Sequence, residues 1–178
     1  MNIIDEIISN YLNNKSLYIG EKVTMSEHMI QTAMLAEKSN CSSNLVCSSL
    51  LHDYGHFILE NPDELITKDK DGRHEDVGCA FLKKYFKEDV LGPIKYHVKA
   101  KKYLARDSNY YRLLSKASKI SLKLQGGIMN DEEAKNFESN KFFKNSIKLR
   151  KFDEIAKKSG LKIKSINEYK NLLTSKLI

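Results

Sequence analysis

The chain has 178 residues, 41% hydrophobic and 30% charged side chains, and a formal net charge of +7. That balance suits one soluble domain with a real core, residues 1–178. It offers no apolar run long enough for a membrane span and none that resembles a signal peptide. Cys41, Cys47 and Cys79 are odd in number and lack a close-paired zinc spacing, so free thiols in a reducing, cytoplasmic setting are expected. A basic protein attracts anions: nucleic acid, headgroups or small phosphorylated ligands. The lysines are spread through the second half with no aromatic-interleaved stripe, so most read as a solvated surface. Neither nucleic acid nor membrane is expected as a partner.

The apolar spacing is mostly helical, and only Pro62 and Pro93 interrupt it. Residues 2–12 read as a short amphipathic helix. Ser26 is a candidate N-cap for a helix running to about Lys38, with His28, Thr32, Leu35 and Ala36 at helical spacing. Residues 40–43 form a polar turn, and 44–52 a helix. Residues 61–72 are polar and acidic, a surface loop. A helix over 75–86 follows, with His74 at its start. Residues 93–101 form a helix that carries His97. Residues 108–124 read as one longer helical stretch, stopped by Gly126-Gly127. Asp131 lies near the N-cap of a helix over 131–137. Residues 141–158 are amphipathic and carry Arg150 and Asp153. The tail over 159–178 contains a short helix, 166–173, expected to pack on a core of about 18–158. No strand pattern or repeat stands out, so the expected fold class is all-α.

The most informative feature is His52-Asp53, set between the apolar Leu45, Val46, Leu50 and Leu51 and the segment Tyr54-Gly55-His56. A histidine and an aspartate adjacent in sequence can both bind one metal ion. The chain has only five histidines, His28, His52, His56, His74 and His97, all within its first 97 residues. A dinuclear non-haem site needs about five or six nitrogen and oxygen ligands with a bridging carboxylate, and imidazole with carboxylate suits iron, manganese or zinc. The candidate ligands are His28, His52, Asp53, His74, His97 and the late Asp153, with Asp53 as the bridge. Helical cores build such sites from single ligands presented inward by separate helices.

His28, then His52-Asp53, then a distal aspartate resembles the HD-domain superfamily, which contains phosphohydrolases and a small group of di-iron oxygenases. From about Tyr18 to Leu173 the chain is similar to the phosphonate-cleaving HD-domain oxygenases, mixed-valent di-iron enzymes of phosphonate catabolism. The motifs that carry this are Tyr18-Ile19-Gly20-Glu21, Gly72-Arg73-His74-Glu75 and His97-Val98-Lys99-Ala100-Lys101-Lys102-Tyr103-Leu104. Leu114-Ser115-Lys116-Ala117-Ser118, Leu124-Gln125-Gly126-Gly127-Ile128-Met129 and Leu149-Arg150-Lys151-Phe152-Asp153 complete the set.

The resemblance implies an HD-domain helical bundle around a central dinuclear site. Its cofactors would be two iron ions, Fe(II)/Fe(III), with dioxygen as co-substrate. It implies cleavage of the carbon–phosphorus bond of a 1-hydroxyphosphonate, foremost 2-amino-1-hydroxyethylphosphonate, to glycine and phosphate. Tyr18 would be a lid residue that can ligate one iron before substrate arrives, and Glu21 would help recognise the amine end. Lys101 would bind the phosphonate, with Ser118 and Arg150 as further donors. Lys101 lies at i+4 from His97 and Arg150 at i−3 from Asp153, so each pair can face one pocket. His56, at i+4 from His52, can sit over the site as a donor to the substrate. Gln125-Gly126-Gly127 is expected as a structural loop near the pocket. A phosphohydrolase acting on a nucleotide or phosphoester is the alternative, since the same ligand set can hold metals that activate water. Tyr18-x-x-Glu21 and Gln125-Gly126-Gly127 are features that a hydrolase does not evidently need. Neither the end group of the phosphonate nor the oligomeric state is legible here.

Overall fold

The computed structural model describes residues 2–18, 21–59 and 72–178. The loop expected over 61–72 therefore lies outside the described residues, Gly72 excepted. Helix α1 (Ile3–Asn13) begins at Asn2, whose side chain accepts from the Asp5 amide. Its Ile3, Ile4, Ile7, Ile8 and Tyr11 are buried, and the Tyr11 hydroxyl donates to the Leu50 carbonyl. Beyond α1 the Tyr18 amide donates to the Val23 carbonyl at 2.8 Å, and the Glu21 amide to the Tyr18 carbonyl at 2.9 Å.

Helix α2 (Met25–Lys38) is capped by Thr24, not by Ser26. Thr24 accepts from the Glu27 amide while the Glu27 carboxylate accepts from the Thr24 amide, a reciprocal capping box. Ser26 lies inside the first turn, and its hydroxyl donates to the Tyr11 carbonyl at 2.8 Å, tying α2 to α1. Helix α3 (Ser43–Leu51) is capped by Ser42, and His52 follows it as its still-helical C-cap. A turn at Asp53 and Tyr54 leads into the single turn α4 (Gly55–Ile58).

Helix α5 (His74–Leu82) is shorter than the expected 75–86. The chain turns after it, and Phe86 forms an isolated bridge with Leu177. Helix α6 (Glu88–Leu104) starts well before Pro93, which lies buried inside it. Proline forfeits one helical amide bond, yet α6 packs closely against α3, α5 and α10. Its acidic residues Glu88 and Asp89 sit in the first turn and its Lys101 and Lys102 in the last, as the helix dipole favours.

The stretch expected as one helix over 108–124 is two, α7 (Ser108–Leu113) and α8 (Lys116–Leu124). Leu114 takes an extended ψ of 137°, and the Ser115 side chain caps α8 by accepting from the Ser118 amide. Gly126 and Gly127 end α8 with φ of 88° and 75°, a backbone that glycine adopts without strain. Helix α9 (Asp131–Glu138) is capped by Asn130, with Asp131 as its first residue. Helix α10 (Phe143–Ile155) is followed by a 3-10 turn, Ile166–Tyr169, and α11 (Lys170–Ser175). Ile166, Tyr169 and Leu173 pack into the same apolar cluster as α1 and α3.

The fold is all-α: among the described residues β structure is confined to the bridges Leu17–Thr24 and Phe86–Leu177. No helix among them is long and apolar enough to cross a membrane. The helices α2, α3, α5, α6 and α10 pack in a connected set, α2 on α3 and α10, α3 on α6, and α6 on α5 and α10.

Gly55 sets how closely α5 approaches. A Cβ there would lie 1.9 Å from the His74 carbonyl oxygen and 2.9 Å from the Gly78 amide nitrogen, both backbone atoms that cannot swing aside. Gly55→Ala is therefore expected to push α5 outward and destabilise the protein by ~1–3 kcal/mol, the usual range for overpacking. A lower urea midpoint together with weaker metal uptake would verify this; an unchanged midpoint would refute it.

Candidate metal centre

Two sets of side chains converge between the helices. His28 from α2, His52 at the end of α3 and Asp153 from α10 form one; Asp53, His74 from α5 and His97 from α6 form the other. Asp53 belongs to both by geometry. Its Oδ2 lies 3.3 Å from His52 Nε2 and 3.6 Å from His28 Nε2, while its Oδ1 lies 3.2 Å from His74 Nε2 and 3.4 Å from His97 Nε2. Asp153 Oδ1 is 3.3 Å from His28 Nε2.

The outer nitrogens decide what the inner ones can do. His28 Nδ1 contacts the Ala156 carbonyl at 2.8 Å, His52 Nδ1 that of Ser49 at 2.9 Å and His97 Nδ1 that of Ile94 at 2.6 Å. A carbonyl can only accept, so these Nδ1 atoms carry the protons and Nε2 presents a lone pair inward when the ring is neutral. His74 has instead the Glu75 carboxylate 3.6 Å from its Nδ1. The Nε2 atoms then meet in pairs, His28 with His52 at 3.2 Å and His74 with His97 at 3.1 Å. Facing lone pairs repel unless a proton or a cation lies between them. Asp153 Oδ1 is buried with no hydrogen-bond partner among the described residues. Inward lone pairs, two carboxylates and an orphaned oxygen fit the chemistry of bound metal ions.

The charges agree with that fit. Burial by itself would raise the Asp53 carboxyl, but His52, His74 and His97 outweigh it and hold the group well below the usual carboxylate range. Asp153 behaves likewise: burial opposes ionisation, and Arg150 and His28 override it. For His52 burial favours the neutral ring, yet Asp53 more than offsets this and lifts it to about 9 in the metal-free protein.

Beside the metal groups lies a cationic wall. Lys101, on the turn of α6 after His97, is only 5% exposed, and its ammonium donates to the Ser121 hydroxyl at 2.8 Å. Burial, then the neighbouring Arg150, lowers it to about 7. Arg150 donates to Asp153 and Glu154, and through Nη2 to Ser118 at 3.3 Å. Its Nε donates to the Tyr110 hydroxyl at 3.0 Å. Arg150 thus ties Asp153 on α10 to Ser118 on α8.

Tyr18 stacks on His28, ring centroids 4.0 Å apart. Burial, then the nearby Asp153 and Asp53, keeps its phenol protonated well past the usual range. Glu21 lies 3.9 Å from the Lys157 ammonium. His56 stacks on His74 with centroids 4.3 Å apart, and burial lowers it to about 3, so its ring is neutral. Its Nδ1 has no hydrogen-bond partner among the described residues. Gln125, in the loop after α8, also keeps a buried Oε1 without one among the described residues.

The six candidate ligands come together here, with Tyr18 and His56 stacked on two of them and Arg150 paired with Asp153; Lys101, Ser118 and Glu21 are held nearby by Ser121, Arg150 and Lys157. Others were not anticipated: Ser121, Tyr110, Glu154 and Lys157. Helical spacing was a usable signal for two of them: Ser121 lies at i+3 from Ser118 and Glu154 at i+4 from Arg150. Lys157 lies past the end of α10, where helical spacing does not place it. Tyr110 reaches Arg150 from another helix, a contact that spacing does not foretell.

The HD domain family model matches residues 25–123. The chain belongs to the HD-domain family. The match begins at the first residue of α2 and ends in α8, so Arg150 and Asp153 lie beyond it. The chain is 40% identical over 154 residues to a hydroxymethylphosphonate dioxygenase of Gimesia maris, covering 85% of this chain and 77% of that one. It is 41% identical over 145 residues to the glycine-betaine-forming [1-hydroxy-2-(trimethylamino)ethyl]phosphonate dioxygenase of Leisingera caerulea, covering 81% and 74%. An uncharacterised protein of Acanthamoeba polyphaga mimivirus is 38% identical over 163 residues, covering 88% and 73%. Within its family the chain groups with the HD-domain phosphonate oxygenases.

Because one carboxylate faces both groups, the two positions are expected to differ in how they respond to substitution. The unsubstituted protein should take up two metal ions per chain, one for each group. His74→Ala should leave about one, in the group of His28, His52 and Asp153. Asp53→Ala should weaken both, roughly 10-fold or more in affinity, the range seen on losing a ligand's support. Elemental analysis after dialysis distinguishes these outcomes; identical stoichiometry in both variants would refute the shared role of Asp53.

Proposed function

We propose that this protein uses dioxygen to cleave the carbon–phosphorus bond of a 1-hydroxyphosphonate at a pair of iron ions. The single observation that carries this reading is Asp53, with one oxygen toward each metal group, beside a wall built from Lys101, Ser118, Ser121 and Arg150. Two curated relatives that cover most of the chain are phosphonate dioxygenases. Among possible substrates, 2-amino-1-hydroxyethylphosphonate is the one we favour, with glycine and phosphate as products, because Glu21 offers a carboxylate near the Tyr18 side of the site.

His28, His52, Asp53, His74, His97 and Asp153 would hold the two ions. An Fe(II)/Fe(III) pair, when bound, supplies the activation of dioxygen and the redox chemistry, which a protein side chain cannot. The chain's own residues do the rest. Lys101 and the Ser118 hydroxyl neutralise and orient the phosphonate, and Arg150 holds Ser118 and Asp153 in register. Tyr18, flat against His28, acts as a lid on that side of the site. His56 remains neutral beside His74, so its ring can donate or accept a hydrogen bond without adding charge.

Dioxygen uptake should accompany phosphate release in a one-to-one ratio when the iron-loaded protein meets 1-hydroxyphosphonates. Phosphate release from phosphate esters without oxygen uptake would overturn the oxygenase reading in favour of hydrolysis.

The buried lysine gives a pH signature. Its ammonium is present below about pH 7 and lost above it in the free protein. A bound phosphonate favours the charged form, so binding above that pH must draw in a proton. The ratio of wild-type to Lys101→Met affinity for methylphosphonate should therefore fall as pH rises past about 7, by up to about tenfold per unit. Taking the ratio cancels the titration of the ligand itself; a ratio independent of pH would exclude Lys101 as the anion's partner.

A further inference from the structure

Lys157 is absent from every role described so far, yet it stands between the two ends of the site. It follows the last residue of α10 closely and is nearly buried, with 9% of its side chain exposed. Its ammonium donates to the Ser118 hydroxyl at 3.0 Å and to the Ser115 hydroxyl at 3.3 Å. It lies 3.2 Å from a Glu154 oxygen and 3.9 Å from a Glu21 oxygen. It also sits over the Tyr18 ring, 5.6 Å from the centroid. One cation therefore touches a serine on the phosphonate side, the lid tyrosine and the carboxylate at the other end.

The two carboxylates are not equally dependent on it. Glu154 also accepts from Arg150, whereas Lys157 is the cation paired with Glu21 among the described residues. Remove the lysine charge and Glu154 keeps a partner; Glu21 is left uncompensated in a largely desolvated place, with 18% of its side chain exposed. An unpaired carboxylate there would attract any cation that enters.

We propose that Lys157 is a specificity-determining residue, which masks the charge of Glu21 and so sets how strongly the site prefers a phosphonate with a cationic end group. This rests on the reading of the pocket as a phosphonate site. A substrate ammonium must compete with Lys157 for Glu21; a substrate with no end group need not. The contact with Ser118 places the same ammonium next to the phosphonate, but that attraction is common to all phosphonates and cancels in a comparison between them.

The test uses two phosphonates that lack the C1 hydroxyl and so bind without turnover: 2-aminoethylphosphonate and ethylphosphonate. Their affinities are measured by calorimetry on the metal-loaded full chain. Lys157→Gln is expected to raise the affinity ratio, amine over ethyl, on the order of tenfold. Lys157→Arg, which keeps the charge, should restore the wild-type ratio. In Glu21→Gln the further change Lys157→Gln should leave the ratio unmoved, because no charge remains to be unmasked; a purely structural role for the lysine would not show this dependence. An unchanged ratio in Lys157→Gln overturns the proposal, while phosphonate turnover by the same preparation leaves the oxygenase reading standing. Failure of the wild-type protein to bind either phosphonate overturns the proposal, and absence of turnover with 1-hydroxyphosphonates in the same preparation overturns the oxygenase reading as well.

Discussion

A carboxylate removed from water costs several kcal/mol unless cations and donors surround it. Asp53 is 2% exposed; its partners among the described residues are the four imidazoles around it, two to each oxygen. Those imidazoles come from four different elements, so the helices must close on one point or leave a buried charge unpaired. Much of the rest of the architecture can be read from that constraint. Bare Gly55 lets α5 approach until His74 reaches Oδ1. Helix α6 runs on through Pro93, with His97 and Lys101 on successive turns of one face.

The second tier of the site is ionic and continuous. Arg150 ties Asp153 to Glu154 and Ser118, and Glu154 ties Arg150 to Lys157. Lys157 in turn reaches Glu21 and the Tyr18 ring. A buried network of this kind adds little net stability, but each member is costly to remove singly, since its partner is stranded. The network links Asp153, Ser118, Glu21 and the Tyr18 ring through shared charges, so a change at one of them is felt by the others. The phosphonate oxygenases with which this chain groups act on substrates that differ in end group, a bare hydroxymethyl in one relative and a trimethylammonium in another. A network with one adjustable link at that end offers a physical route to such differences.

Particular elements show where the sequence was readable. The six candidate ligands could be named because imidazole and carboxylate pairs are rare in an apolar setting, and His52-Asp53 follows Leu50-Leu51. Thr24-x-x-Glu27 was equally visible as a capping box, yet Ser26 drew the assignment, because its hydroxyl is just as good a cap in isolation. What disqualified it was the Tyr11 carbonyl, supplied from another helix. The break at Leu114 had a local sign in Ser115, three residues before the amide it accepts from, but helical periodicity on both sides concealed it. Pro93 argued for a helix start, and packing of α6 against three neighbours overrode it.

Local patterning by itself determined the all-α class, the identity of the candidate ligands and the i+4 and i−3 pairs that put Lys101 on the face of His97 and Arg150 on that of Asp153. Helical spacing settles such pairs, since residues on one face of one helix need no other information. Tertiary structure alone decided which ligands group together, which oxygen of Asp53 faces which pair, and that Lys157 pairs with Glu21. Those are distances between side chains on different helices. They follow from how closely backbones can pack, as at Gly55, and from where buried charges find partners, neither of which is encoded in any one segment of the chain.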